Sequence, residues 1–208
     1  AGEPLISYPV RAALKSRLAD RVIVSTDDEE IARVALKYGA EIPFMRPAEL
    51  ATNESPVIET VDYVLRRLNE EENYKVDYVV LLQAASPLVL TEHIDEAVKL
   101  AIYKKADSVV GVSLVDTLNH PHNIRHIVED ETIHFWQDEL HYKHLGKPRP
   151  KFYHAGALWL SSYDTVVKEH KLEGKKNYPL ILDPIYLSDI DYEEDLERIE
   201  LYLKDKRM

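Results

Sequence analysis

Hydrophobic residues along the chain follow two spacings, one typical of helix faces and one typical of buried strands. Residues 5–18 and 56–69 carry apolar side chains at helical spacing. Residues 21–25 and 76–83 are short and almost continuously apolar, which favours buried strands of a parallel sheet. The alternation of the two patterns predicts βαβ units and therefore an α/β fold with a mainly parallel sheet.

Residues that begin and end helices lie between the predicted strands. Residues 26–30 offer an N-cap followed by acidic side chains, and Gly39 offers the matching end. The same reasoning predicts helices at 91–104, capped by Thr91, and from 193 to about 204, with strands at 108–113, at 157–160 and around 185–190.

The alternation is interrupted by residues 117–153, a polar segment rich in histidine and aromatic side chains. Because the segment has no clean period, we expect an insertion rather than more of the sheet. Its histidines match no familiar zinc spacing, and the aromatic residues between them favour a packed interface. The 208 residues, 45% of them hydrophobic, are enough for one core, so we expect residues 1–208 to form a single domain.

Composition excludes several classes of function. The net charge of -11 argues against a nucleic-acid or anionic-membrane surface, and no apolar run approaches the ~20 residues of a membrane span. The absence of cysteine excludes disulfides, thiolate zinc sites and thiol nucleophiles, and it agrees with a cytoplasmic location. Any anionic ligand must therefore meet locally placed cations or a metal.

Asp189 and Asp191 form the sharpest local motif in the sequence. Two carboxylates one residue apart near the end of a predicted strand can share a divalent cation, and such oxygen ligands suit Mg²⁺. The alternative is that Asp191 caps the last helix, with Glu194 completing a capping box.

Five other residues have side chains or positions suited to binding. Arg46, held by the proline that follows it, can donate to a base carbonyl or a phosphate, although most loop arginines are merely solvated. Gln83 stands at the end of the clearest strand, and its amide can both donate and accept hydrogen bonds. Ser55 and Ser86 precede prolines, where turn chemistry is the alternative to binding. Gly156 would let a ligand approach the backbone, unless it marks an ordinary bulge.

Taken together, these segments resemble the acylneuraminate cytidylyltransferases, which make CMP-activated sialic, legionaminic and pseudaminic acids. The similarity spans nearly the whole chain, and its most specific segments are residues 2–6, 24–32, 38–50, 81–88 and 188–191. The resemblance implies a Rossmann-like nucleotidyltransferase fold and an enzyme that joins CTP to an acidic nine-carbon sugar. In that family a Gly-rich loop and its strand precede the segment matching residues 2–6, and this chain begins after them.

The resemblance also implies roles for the candidate residues. Asp189 and Asp191 would bind Mg²⁺ and act in catalysis, and Arg46 and Ser55 would hold the cytidine. Gln83, Ser86 and Gly156 would face the sugar, and Arg149 would meet its carboxylate. Residues 117–153 would form an arm that reaches across a homodimer.

Departures from the family pattern concern the sugar. Ala84, Ala85 and Val89 stand where the family often has Pro, Thr and Arg, and Ala155 stands where the sialic-acid enzymes usually have Asn. They favour a sugar other than N-acetylneuraminate, and residues 154–156 are nearer to the pseudaminic branch. The alternatives are a CMP-KDO synthetase or another sugar nucleotidyltransferase, a glycosyltransferase that uses the aspartate pair, and a non-catalytic paralogue without the phosphate loop.

Overall fold

The computed structural model describes residues 2–136 and 150–205. The central sheet has four strands, β1 (Tyr78–Leu82), β2 (Ser108–Leu114), β5 (Tyr153–Ser162) and β6 (Asn177–Ile181), in the order β1-β5-β2-β6. β2 and β6 are parallel, whereas β5 runs antiparallel to both β1 and β2. β1, β2 and β6 therefore point the same way, which confirms the predicted mainly parallel α/β sheet.

Six α-helices connect and cover the strands in the described parts of the chain: α1 (Ser7–Leu14), α2 (Glu29–Lys37), α3 (Val57–Glu72), α4 (Thr91–Lys104), α5 (Tyr163–Val167) and α6 (Glu193–Asp205). Side chains of β1 alternate between two cores. Tyr78, Val80 and Leu82 pack into a cluster with α4, whereas Val79 and Leu81 pack against α3 and α5. The sheet therefore lies between two helical layers.

The predicted ends of α2 are confirmed, and the predicted cap of α4 is wrong. The Asp28 carboxylate accepts hydrogen bonds from the first-turn backbone N–H groups of α2, and Gly39 follows with a φ of +95°. At α4 the N-cap is Leu90, whose N–H donates to His93 Nδ1. The Thr91 hydroxyl instead donates to the Ala12 carbonyl, which ties α4 to α1.

The strand predicted around residues 185–190 is also wrong. A 3₁₀ helix occupies Pro184–Leu187, and it begins where Asp183 accepts a hydrogen bond from the Ile185 N–H. The strand lies earlier, at β6, where Pro179 obscured the sequence pattern. β6 pairs with β2 alone among the described strands, so a proline is tolerated at this sheet edge.

Outside the main sheet, β3 (Arg125–Ile127) and β4 (Ile133–Phe135) form a separate antiparallel hairpin within the segment 117–153. The predicted strand at 21–25 is reduced to one parallel bridge between Ile23 and Glu41. Within the described residues, no helix is both long and apolar enough to cross a membrane.

Candidate functional site

A cleft of about 970 Å³ separates residues 18–25 from β1. Its walls are apolar side chains of α1, α3 and α4, among them Val10, Leu65 and Ile94. At the polar end it is lined by five of the eight predicted site residues, namely Arg46, Ser55, Gln83, Asp189 and Asp191. Residues far apart in sequence are thus brought to one cavity.

Segment 22–24 runs in the same direction as β1. Arg21 forms an ion pair with Glu72 at 2.6 Å, and its guanidinium lies 4.9 Å from the centre of the Tyr74 ring, just before β1. The starts of the two extended segments are therefore neighbours, and the residues that follow their carboxyl ends, Ser25 and Gln83, both line the cleft. This is the end at which ligands bind in open α/β sheets.

The aspartate pair lies on a segment joined to the turn after β1. The Ile190 N–H donates to the Ala85 carbonyl at 2.9 Å, and the Asp189 carboxylate accepts a hydrogen bond from the Ser86 hydroxyl. Asp189 is half-buried and Asp191 is exposed.

Asp191 does not cap the last helix, so the capping alternative is wrong. The Asp195 carboxylate, within α6, accepts hydrogen bonds from the backbone N–H groups of Asp191 at 3.3 Å and Tyr192 at 3.1 Å. This carboxylate reaches back to the helix start from the first turn, which is the role proposed for Glu194. The Asp191 carboxylate accepts no hydrogen bond from the described residues and is left available to a ligand.

The donor set at the aspartate pair fits Mg²⁺. Within residues 2–136 and 150–205, no group of three or more His, Cys, Asp or Glu side chains is placed to hold a metal. Mg²⁺ commonly binds through one or two carboxylates and completes its shell with water and substrate phosphates. Asp189 and Asp191 can supply two such oxygen ligands.

Arg46 lines the same cleft as the aspartates and lies beside the end of segment 22–24. Its backbone N–H donates to the Thr26 carbonyl at 2.8 Å, and its guanidinium donates to the Ser25 carbonyl. Arg46 Nε and Ser25 Oγ are buried without a hydrogen-bond partner among the described residues. Buried polar atoms are usually paired, so these two are available to an enclosed ligand. Ser25 was not predicted, because it ends a run whose apolar residues dominate the pattern.

Ser55 and Gln83 occupy the rim of the same cleft. The Ser55 hydroxyl donates to the Glu49 carbonyl at 2.9 Å, which closes the loop before α3. The Gln83 carbonyl accepts the Ser86 N–H at 3.2 Å, and its side-chain amide makes no hydrogen bond to the described residues. Gln83 is therefore free to bind a polar ligand.

Ser86 and Gly156 are not among the described residues that line the cleft. Ser86 is fully buried, with 0% of its surface exposed. Gly156 is buried against Leu187, which a Cβ at this position would approach to 3.7 Å. Arg149 lies outside the described residues.

A family model described as cytidylyltransferase matches residues 1–208. The chain is 29% identical to the pseudaminic acid cytidylyltransferase of Campylobacter jejuni over 98% of this chain and 86% of that protein. It is 33% identical to the CMP-N,N'-diacetyllegionaminic acid synthase of Legionella pneumophila over 92% of this chain and 81% of that protein.

Among solved structures, the chain is similar to CMP:2-keto-3-deoxy-manno-octonic acid synthetase complexed with CTP. The TM-score is 0.68, covering 99% of this chain and 90% of the other at 10% identity. Identity this low shows a likeness of fold alone, and it confirms the predicted nucleotidyltransferase fold.

Proposed function

Because the chain belongs to the cytidylyltransferase family, we propose that it transfers CMP from CTP to an acidic nine-carbon sugar and releases pyrophosphate. The observation that carries the proposal is the convergence of Arg46, Gln83, Asp189 and Asp191 on one cleft. The pseudaminic and legionaminic acid enzymes among its relatives, named for acids of this class, support the choice of sugar.

Arg46 and Ser25 are proposed to bind the cytidine. Both have an unpaired buried polar atom at the cleft end of segment 22–24. A base that pairs with these atoms is preferred to one that leaves them unsatisfied, because a buried unpaired polar group costs about 1–3 kcal/mol. Ser55 holds the loop that follows Arg46 and completes this side of the site.

Asp189 and Asp191 are proposed to hold Mg²⁺, which when bound neutralises phosphate charge. The chain carries a net charge of -11, so its own surface does not attract a nucleotide. The aspartates would place the cation beside the phosphates, and Arg46 adds a fixed positive charge to the same cleft.

The sugar is proposed to lie beside Gln83. Its anomeric hydroxyl attacks the α-phosphorus of CTP, the bond from that phosphorus to pyrophosphate breaks, and the hydroxyl proton is lost to solvent. No covalent enzyme intermediate is required, so catalysis consists of alignment and charge neutralisation. Arg149 is proposed to meet the sugar carboxylate, and the backbone at Gly156 is proposed to border the sugar.

Residues 117–153 are proposed to join two copies of the chain in a homodimer. The hairpin of β3 and β4 exposes large apolar side chains, with Ile127 at 72%, Ile133 at 64% and Trp136 at 63%. Such residues clustered on one small hairpin favour a protein interface. The partner's arm would then lie beside the sugar.

An extended segment upstream of residue 1 is proposed to fill the apolar part of the cleft. β1 pairs only with β5 among the described strands, so its other edge is unpaired. The Val24 N–H donates to the Glu41 carbonyl, and the Glu41 N–H donates to the Val22 carbonyl. Because neighbouring residues of an extended segment direct their backbone groups to opposite sides, the N–H and carbonyl of Ile23 face the cleft. With strands about 4.8 Å apart, faces ~10 Å apart and a rise of about 3.3 Å, one strand residue fills roughly 160 Å³. A cleft of about 970 Å³ therefore has room for a few strand residues in its apolar part beside a ligand at its polar end.

The start of α1 is placed for that connection. Glu3 and Leu5 lie beside Pro87 and Ile190, at the end of the sheet where β1 finishes. A strand parallel to β1 would end here and lead through a short loop into α1, which makes a βαβ unit. The phosphate loop implied by the family resemblance would then lie next to the aspartate pair.

The test is pyrophosphate release by the full-length protein with CTP and Mg²⁺. N-acetylneuraminate, legionaminic acid, pseudaminic acid and KDO are offered in turn. Release with a nonulosonic acid should be lost in Asp189→Ala and kept in Asp164→Ala, an exposed change on α5 whose carboxylate pairs with Lys168 just after that helix. Release with KDO alone would support the CMP-KDO alternative, and no release with any sugar would support the non-catalytic one.

A further inference from the structure

We propose that Ser86 is a positioning residue that orients the Asp189 carboxylate toward the bound divalent cation. The inference rests on the proposed function, in which Asp189 and Asp191 hold that cation. It gives Ser86 a role behind the carboxylate and not in direct contact with the sugar.

The first observation is where the Ser86 hydroxyl lies. Ser86 has 0% of its surface exposed and does not line the cleft, whereas Asp189 does. The hydroxyl donates to Asp189 Oδ1. It is therefore one layer behind the carboxylate, where a small ligand in the cleft does not reach it.

The second observation is that the turn carrying Ser86 is itself fixed. The Ser86 N–H donates to the Gln83 carbonyl at 3.2 Å, and the next apolar residues, Leu88 and Val89, are 3% and 2% exposed. The Ala85 carbonyl accepts the Ile190 N–H at 2.9 Å. The turn after β1 thus makes two hydrogen bonds to the aspartate segment, one through the Ala85 carbonyl and one through the Ser86 hydroxyl.

The physical consequence is a carboxylate with one oxygen anchored and the other left for the cation. Anchoring reduces the rotamer freedom that Asp189 loses when the cation binds. Partners of this kind behind a metal ligand commonly change metal affinity or activity by about 10- to 100-fold when they are removed. Asp191 has no such anchor among the described residues, so the effect of Ser86 acts through Asp189.

The experiment measures Mn²⁺ binding by electron paramagnetic resonance, using the full-length protein in the presence of CTP without sugar. Ser86→Ala is compared with Ser161→Ala, a second buried serine whose hydroxyl donates to the Leu172 carbonyl away from the cleft. We expect Ser86→Ala to weaken Mn²⁺ binding about 10-fold and Ser161→Ala to leave it unchanged. The concentration of Mg²⁺ at half-maximal pyrophosphate release should rise by a similar factor in Ser86→Ala.

A stability cycle tests the contact itself. Asp189→Ala leaves the Ser86 hydroxyl buried without a partner, so adding Ser86→Ala should recover part of the fall in Tm. Equal Mn²⁺ affinity in the wild type and Ser86→Ala would overturn the inference, as would an equal loss in both serine variants. If the wild type binds Mn²⁺ and CTP but releases no pyrophosphate with any sugar, the proposed function is wrong. The role of Ser86 is then still decided by the Mn²⁺ affinities of the wild type and Ser86→Ala.

Discussion

The rings of His93 and Tyr186 meet edge to face, with centroids 4.5 Å apart. His93 lies in the first turn of α4, and Tyr186 belongs to the 3₁₀ helix that leads into the aspartate segment. Helix α4 therefore supports the chain that carries Asp189 and Asp191. The contact joins a buried titratable group to the candidate site.

Stability should fall as the pH drops below about 6.5, in part because of His93. Burial lowers the pKa of His93 from 6.5, and the nearby carboxylates of Glu96 and Glu92 only partly oppose this. Between the lowered pKa and 6.5 the unfolded chain binds more protons than the folded one, so stability rises with pH there and is lost as pH falls. One site changes stability by at most about 1.4 kcal/mol per pH unit.

The measurement is urea unfolding between pH 5 and pH 8. His93→Asn keeps an acceptor for the Leu90 N–H but cannot titrate, so its free energy of unfolding should depend less on pH than that of the wild type. A wild-type slope in His93→Asn would contradict the prediction.

Two buried glycines in neighbouring strands should respond differently to alanine. A Cβ at Gly111 would lie 2.8 Å from the Gly156 carbonyl oxygen, whereas a Cβ at Gly156 would meet only Leu187 at 3.7 Å. Gly111→Ala should therefore cost about 1–3 kcal/mol of stability, and Gly156→Ala less than about 1 kcal/mol. Thermal unfolding of both variants checks this, and equal costs would count against the described packing.

Gly156→Ala also tests the proposed sugar contact. Since its effect on folding should be small, a rise in the KM for the sugar without a change in Tm would support a ligand close to this backbone. An unchanged KM would remove Gly156 from the site.

Arg46→Ala should raise the KM for CTP by about 10- to 100-fold, because hydrogen bonds from a charged donor contribute about 1.5–3 kcal/mol. Ser25→Ala should act in the same direction with a smaller effect, since its hydroxyl is uncharged. Arg33→Ala is the matched control, because Arg33 is exposed on α2 and, among the described residues, donates only to the Glu29 carbonyl. Initial rates with CTP varied at saturating Mg²⁺ and sugar provide the measurement, and an unchanged KM in Arg46→Ala would exclude Arg46 from nucleotide binding.

Much of this fold was predictable because local signals agreed. The apolar run at β1, the Asp28 cap and the Gly39 end each act over a few residues, and each was correctly predicted. β6 was missed because Pro179 is tolerated only at a sheet edge, and edge position depends on the complete strand order. Sequence reasoning lacks that information.

In the candidate site, too, features set by local sequence were predictable and contacts between distant residues were not. Gln83 was predicted because polar residues near strand ends are exposed to ligands in α/β folds. The aspartate pair was predicted by the same rule, although the structure has a 3₁₀ helix where the sequence predicted the strand before it. The bond between Ser86 and Asp189 joins positions 103 residues apart, and the sequence holds no sign of it. The unpaired atoms of Ser25 and Arg46 likewise emerge only from packing.

Ile133→Asp should convert the proposed dimer to monomer. Ile133 is 64% exposed on the β3–β4 hairpin, so a charge costs the monomer little but would be buried in an interface. Leu201→Asp, at 68% exposure on α6 and not among the residues that line the cleft, is a matched control away from the hairpin. Sedimentation velocity should show dissociation in Ile133→Asp alone. A wild-type monomer, or a dimer insensitive to Ile133→Asp, would contradict the role of the hairpin.

If an upstream strand fills the cleft, residues 1–208 alone and a longer chain should differ in ANS binding, in unfolding temperature and in hydrogen exchange. In residues 1–208, apolar side chains that line the cleft are exposed, with Leu18 at 38%, Val57 at 44% and Ile102 at 60%, so this chain should bind the dye ANS and unfold at a lower temperature. In the longer chain the Ile23 amide should become protected from hydrogen exchange, because its N–H faces the cleft and gains a partner.

The control is a longer chain whose upstream apolar run carries one inward-facing residue changed to Asp. A charge between two helical layers is costly, so ANS binding should return and protection at Ile23 should be lost. Equal ANS binding and equal exchange at Ile23 in the short and long chains would show that the cleft stays open. The unpaired edge of β1 would then be a binding surface for another molecule.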